Sequence, residues 1–290
     1  MGPKRDAELL HLALPKGRMQ AEVFTLLADA GIQVRVGSRG YRPKVNLPEV
    51  TVKLLKSQNI VEMLHLGSRD LGFAGADWVA ELDAPLVEVF DTGLDPVRVV
   101  AAAPRSLIDN GLFDRPVVVA SEYERLATEW IRMKELDATF VHSYGATEVF
   151  PPEDADLIVD NTATGGTLRA NGLEIVDELM RSSTRLYANP EAMENPGKRE
   201  IIDRLALLLR SVLESRRRVM VEVNVTKEDL DDVVAVLPCM REPTISLLHG
   251  SGGYAVKAAV PREDLPRIIP EIKARGGTDI VVSKLDQIVP

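Results

Sequence analysis

Apolar and polar positions along this chain change period repeatedly, and each change marks an element. Leu9 to Leu14 is a short apolar run closed by Pro15-Lys16-Gly17; from Met19 on, Val23, Leu26, Leu27 and Ala30 recur at helical spacing. The reading is strand, loop, helix. Leu71 to Ala74, Leu86 to Phe90, Val97 to Ala103 and Val117 to Ala120 are further apolar runs, mostly bounded by Gly, Pro or Asp, and read as separate buried strands. A helix is predicted between Glu122 and Leu136, a strand near Thr139 to Tyr144, and another at Leu157 to Val159. Helical structure is expected to continue through Leu168, Leu173, Val176 and Leu179. A long periodic stretch, Ile201 to Leu213, ends in Ser215-Arg216-Arg217-Arg218, charges that suit the negative end of a helix.

After Arg218 the order changes. Val219 to Val225 reads as a strand, and Thr226 to Asp229 resembles a capping box opening a helix through Leu230, Val233, Val234 and Leu237. Strands near Thr244 to Leu248 and Tyr254 to Val260, a helix from Arg262 to Ala274 and a strand from Asp279 to Val282 complete a β-α-β-β-α-β order. That order is the ferredoxin-like arrangement, which by itself assigns no function.

Composition narrows the class. The 290 residues are 45% hydrophobic and 27% charged, and at about 100–200 residues per domain they suggest two or three globular domains. Forty-four acids against 35 bases give a net charge of −9, which disfavours nucleic-acid binding. No apolar run approaches the roughly 18 residues of a membrane span, and the start of the chain does not read as a signal peptide, so a cytoplasmic location is expected. The single Cys239 excludes an intramolecular disulfide, and His11, His65, His142 and His249 lack metal-ligand spacing.

The chemistry concentrates at Asp156 to Leu168, where an apolar strand ends in Asp160-Asn161-Thr162-Ala163 and a turn delivers Thr164-Gly165-Gly166-Thr167-Leu168 to a helix start. Unpaired N–H groups there carry partial positive charge, and glycines let a phosphate approach them. Thr164 and Thr167 add hydroxyl donors, and Asp160 can accept hydrogen bonds from sugar hydroxyls. The plainer alternative is a strand–turn–helix connection with Thr164 as a cap. Lys16 and Arg18, at the carboxyl end of the first strand, can bind phosphate oxygens or lie in a solvated loop. Gly72 and Gly75 can admit a ligand close to the backbone, and Asp77 can cap the next helix or contact ribose. Arg98 faces either a cleft or a surface acid; Glu148 holds a ribose, orients a base or is solvated; Tyr123 stacks on a base or packs.

Asp-x-x-x-Thr-Gly-Gly-Thr-Leu resembles the loop of phosphoribosyltransferases that binds phosphoribosyl diphosphate (PRPP). Type I members usually carry two adjacent acids and a longer spacer. The short form followed by Arg169-Ala170-Asn171-Gly172-Leu173 is similar to the ATP phosphoribosyltransferase family. Leu14-Pro15-Lys16-Gly17-Arg18, Arg69 to Asp77, Gly145-Ala146-Thr147-Glu148 and Pro243-Thr244-Ile245-Ser246 match in the expected order.

The resemblance implies an α/β fold: a two-lobed, periplasmic-binding-protein-like catalytic body and a C-terminal ferredoxin-like (ACT-like) domain. Lobe I is expected at 1–94, rejoined by 185–217, lobe II at 95–184, and a regulatory domain at 218–290. The implied reaction joins C1 of PRPP to N1 of ATP, the first step of histidine biosynthesis, with Mg²⁺ as cofactor and feedback inhibition by histidine in a homo-oligomer, a hexamer by family. Asp160, Lys16 and Arg18 form the implied catalytic set. The PRPP set runs from Asp160 to Leu168 with Glu148; the ATP set is Lys16, Gly17, Arg18, Gly75, Asp77, Arg98 and Tyr123. Histidine is assigned to Asn224, Met240, Thr244, Ala259 and Asp279. A two-lobed binding or effector-sensing protein without catalysis is the alternative, although such a protein has no need of a PRPP loop.

Overall fold

The computed structural model describes residues 9–37, 40–250 and 252–289. The chain start, Met1 to Glu8, used in reading for a signal peptide, lies outside the described residues. Two compact units emerge: residues 1–25 with 32–203, and residues 26–31 with 204–290.

The first unit is built on an eight-stranded sheet. In chain order its elements begin β1 (Leu10–Pro15), α1 (Gln20–Asp29, completed by the second unit), the short hairpin β2 (Val34–Arg35) and β3 (Lys44–Val45), β4 (Val50–Leu55), α2 (Ser57–His65), β5 (Leu71–Gly75) and α3 (Ala76–Glu81). There follow β6 (Val87–Pro104), α4 (Arg105–Asp109), β7 (Val117–Ser121), α5 (Glu124–Met133), β8 (Ala138–His142), β9 (Leu157–Thr162), α6 (Gly166–Ala170), β10 (Leu173–Ala188), α7 (Pro190–Glu194) and the start of α8 (Pro196–Arg217). The strand order is β4-β1-β5-β10-β6-β9-β7-β8. β1 runs parallel to β4 and β5, and β7 runs parallel to β8 and β9, so two parallel half-sheets flank the long antiparallel pair β6–β10. Ala13, Ile60, Leu64 and Ala74 pack in one half, and Val99, Val119, Tyr123, Trp130 and Val159 in the other.

Two expectations are corrected. The runs Leu86 to Phe90 and Val97 to Ala103 belong to one strand, β6, because Gly93 (φ 68°) and Asp95 (φ 47°) bend it while the ladder to β10 slips register between Ser182 and Arg185. The helix expected through Leu173, Val176 and Leu179 is instead strand β10. Gly172, at φ 69°, stops α6, and ladder pairing with β6 outweighs the local helix preference of Glu, Leu and Met. The periodicity reading also passed over β4 and α2.

The second unit contains β11 (Arg218–Val225), α9 (Leu230–Val234), β12 (Thr244–Leu247), β13 (Tyr254–Pro261), α10 (Leu265–Ala274) and β14 (Thr278–Lys284). Its sheet order is β12-β13-β11-β14, all antiparallel, which is the ferredoxin-like order. Val219, Val221, Val223 and Val225 alternate inward against Val233, Ile268 and Ile272. The capping box forms in part: Thr226 Oγ1 accepts from the Asp229 amide at 3.3 Å and donates to the Asp229 carboxylate at 2.8 Å. Among the described residues no helix is long and apolar enough to cross a membrane.

Candidate active site

At the carboxyl end of β9 the backbone turns sharply. Gly165 sits in the left-handed region (φ 73°), and its N–H donates to Thr162 Oγ1 at 2.9 Å, so the turn is tied to the strand end. The Gly165 N–H is thereby engaged within the turn. Gly166, Thr167 and Leu168, in the first turn of α6, supply the N–H groups that lack intrahelical acceptors.

This turn lines a cavity of about 350 Å³ together with Arg18, Glu148, Asp160, Asn161, Thr162, Ala163 and Thr164. Arg18 comes from the loop after β1, where Gly17 takes φ 98°. Glu148 arrives through Gly145 and Ala146, both at positive φ, and the buried Thr147 anchors that loop on Ser143 at 2.7 Å. The Asp160 carboxyl is pushed up to about 6, chiefly by burial, with Glu148 and Glu122 adding to the rise and Arg18 opposing it. Asp160 also accepts from the Asn161 amide at 2.7 Å. Asp95 is raised by burial too, and Arg18 opposes that shift as well, so this guanidinium serves two carboxylates. Asp95 and Glu122 escaped the sequence reading, which had no motif to mark them.

Several expected contributors lie outside the cavity lining. Lys16 Nζ donates to the Tyr41 hydroxyl at 3.2 Å and lies over that ring, 4.6 Å from its centroid. Arg98 pairs with Glu178 at 3.2 Å across the β6–β10 ladder, the surface alternative. Gly72 serves packing: a Cβ there would meet Ile60 at 2.7 Å. Gly75 makes room for the side chain of Asp77. Asp77 is buried and neither caps α3 nor faces the cavity; it accepts from Ser182 Oγ at 2.9 Å and from the Tyr123 hydroxyl at 2.7 Å. Tyr123 is fully buried with its ring on Trp78, centroids 4.7 Å apart, so packing replaces the expected stacking on a base.

In the second unit the five residues assigned to histidine fall into two groups. Met240, Thr244 and Ala259 line a cavity of about 330 Å³ with Met220, Cys239, Arg241, Glu242 and Lys257. Asn224 and Asp279 pair with each other, Nδ2 to Oδ2 at 3.1 Å, outside that lining.

A strand-end carboxylate beside a glycine turn and a guanidinium is the equipment of a pentosyltransferase, and the relatives agree. A family model described as ATP phosphoribosyltransferase matches residues 56–211, and one described as HisG, C-terminal domain, matches residues 215–287. The chain belongs to the ATP phosphoribosyltransferase family. The ATP phosphoribosyltransferase of Pelotomaculum thermopropionicum is 37% identical over 97% of this chain and 99% of its own length, and that of Chlorobium chlorochromatii is 34% identical over 98% and 99%. Among solved structures, the ATP phosphoribosyl transferase (HisG:HisZ) complex from Thermotoga maritima aligns with a TM-score of 0.64 and 28% identity, covering 71% of this chain and 99% of that one.

Proposed function

We propose that this chain transfers the phosphoribosyl group of PRPP to N1 of the adenine of ATP, releasing diphosphate, in the first step of histidine biosynthesis in the cytoplasm. The observation that carries the site assignment is the cavity gathering Arg18, Glu148 and residues 160–164 and 166–168. The 5′-phosphate is assigned to the N–H groups of Gly166 and Thr167 with the hydroxyls of Thr164 and Thr167. Asp160 and Glu148 accept from ribose hydroxyls, and their charge stabilises the cationic sugar that forms as the C1–O bond to diphosphate lengthens. Arg18 neutralises the departing diphosphate. Adenine N1 brings its own lone pair, so no enzymic base is needed to activate it. Catalysis rests on alignment and charge.

Among the described residues no cluster of three or more His, Cys, Asp or Glu side chains is arranged to hold a metal ion. The destabilised Asp160 beside Glu148 nevertheless favours an incoming cation with hard oxygen ligands. These residues fit Mg²⁺ carried in on the polyphosphates as part of the substrate. Diphosphate release from PRPP that requires ATP tests the assignment; a chain that binds small molecules without turnover refutes it. The 330 Å³ cavity of the second unit is assigned to the inhibitor histidine, and the assembly to a homo-hexamer, by family.

A further inference from the structure

The second unit holds a further cavity, of about 680 Å³, lined by Arg216, Arg217, Arg218 and Arg262 with Glu214 and Glu263. It shares no residue with the catalytic cavity or with the one assigned to histidine. Sheet register builds it. β11 and β13 pair antiparallel with Arg218 opposite Pro261, so the step beyond the ladder brings Arg217, the last residue of α8, beside Arg262, the first residue of the 3₁₀ turn Arg262–Asp264. Two of the four cations are compensated: Arg216 donates to Asp29 at 2.8 Å and Arg218 to Glu214 at 2.6 Å. Arg217 and Arg262 are exposed and form no ion pair or side-chain hydrogen bond among the described residues. The end of α8 accounts for Arg217, since cations suit a helix C-terminus. It does not account for Arg262, which opens the turn leading into α10, where the backbone favours acids. Two unpaired like charges held side by side also repel. A bound anion relieves both costs.

The geometry points to a second anion site, separate from the catalytic cavity, in which Arg217 and Arg262 grip the phosphate chain of a small molecule carrying a triphosphate. Both residues are arginine, whose planar fork matches phosphate oxygens two at a time. The cavity is far larger than one phosphate and lies in the range of small-molecule sites. In a chain of net charge −9, four arginines gathered at one cavity form a local positive field that draws a polyanion in. Glu263 lines the same cavity and repels phosphate oxygens, but it can accept from the hydroxyls of a sugar attached to the phosphates. The shared chemistry is the triphosphate; its source is either a nucleotide or inorganic polyphosphate. Binding here is independent of the phosphoribosyl reading of the first unit.

The test is calorimetric titration of the full-length chain, held in saturating PRPP to occupy the catalytic cavity, with inorganic tripolyphosphate and with cytidine triphosphate. Wild type is expected to bind both probes. Tighter binding of cytidine triphosphate identifies a nucleotide as the source, and equal binding identifies the phosphate chain alone. Arg217→Ala with Arg262→Ala should raise the Kd for tripolyphosphate about ten- to hundredfold, the scale of charge-assisted hydrogen bonds. Lys227→Ala with Lys273→Ala removes the same charge from exposed positions of the same unit and should change the Kd by no more than about twofold. Because Arg217 and Arg262 are exposed and repel each other, the arginine variant without probe should melt no lower than wild type, so its loss of binding is not a loss of fold. Absence of binding to PRPP-saturated wild type, wild-type affinity in the arginine variant, or an equal loss in the lysine variant overturns the inference.

Discussion

Asp160 bears the cost of the site. Its carboxyl is raised to about 6 by burial and by the nearby acids, so the folded state binds a proton more tightly than the unfolded chain does. Its contribution to stability is therefore full below the ordinary carboxylate range near 4 and is lost as pH rises through 6. Asp160→Asn removes that penalty. The variant should be more stable than wild type at pH 7.5 by roughly 1–3 kcal/mol, with the gap closing below pH 4; melting curves across pH measure it. The same substitution should raise the KM for PRPP, the loss of each charge-assisted hydrogen bond costing roughly 1.5–3 kcal/mol. A gain in stability with loss of substrate affinity would mark Asp160 as kept for chemistry. Loss of a basic limb from the pH–rate profile with unchanged PRPP binding would make it a base instead.

Among elements, the turn from β9 to α6 shows why Gly165 belongs where it does. With φ 73° and a Cβ position 3.0 Å from Arg169 Nη1, it has little tolerance for a branched side chain. Gly165→Val should destabilise the fold by roughly 1–2 kcal/mol from backbone strain and weaken PRPP binding by displacing the N–H groups of Gly166 and Thr167. Calorimetry on the folded variant checks this, and an unchanged Kd would contradict the turn assignment. This turn was legible because Gly-Gly after an apolar strand has few other uses. β10 was not, since Glu174, Leu179 and Met180 favour helix locally and only pairing with β6 makes them strand. The buried fates of Asp77 and Tyr123 were equally hidden, because partners 105 and 46 residues from Asp77 leave no trace in local spacing.

At the scale of the whole molecule, two units with separate cores carry two assignments: chemistry in the first, sensing in the second. Ala259→Trp, which fills the cavity beside Met240 and Thr244, should abolish inhibition by histidine while leaving the uninhibited rate as in wild type. Steady-state rates with and without histidine measure this, and inhibition at wild-type strength would place the sensor elsewhere. The central claim, that the first unit joins PRPP to ATP, is tested most directly by diphosphate release from PRPP by the purified full-length chain with Mg²⁺, in the presence and absence of ATP. The account predicts stoichiometric diphosphate and a phosphoribosylated ATP only when both substrates are present, and the loss of both products in Asp160→Ala. Release of diphosphate without ATP, or none with both substrates, would contradict it.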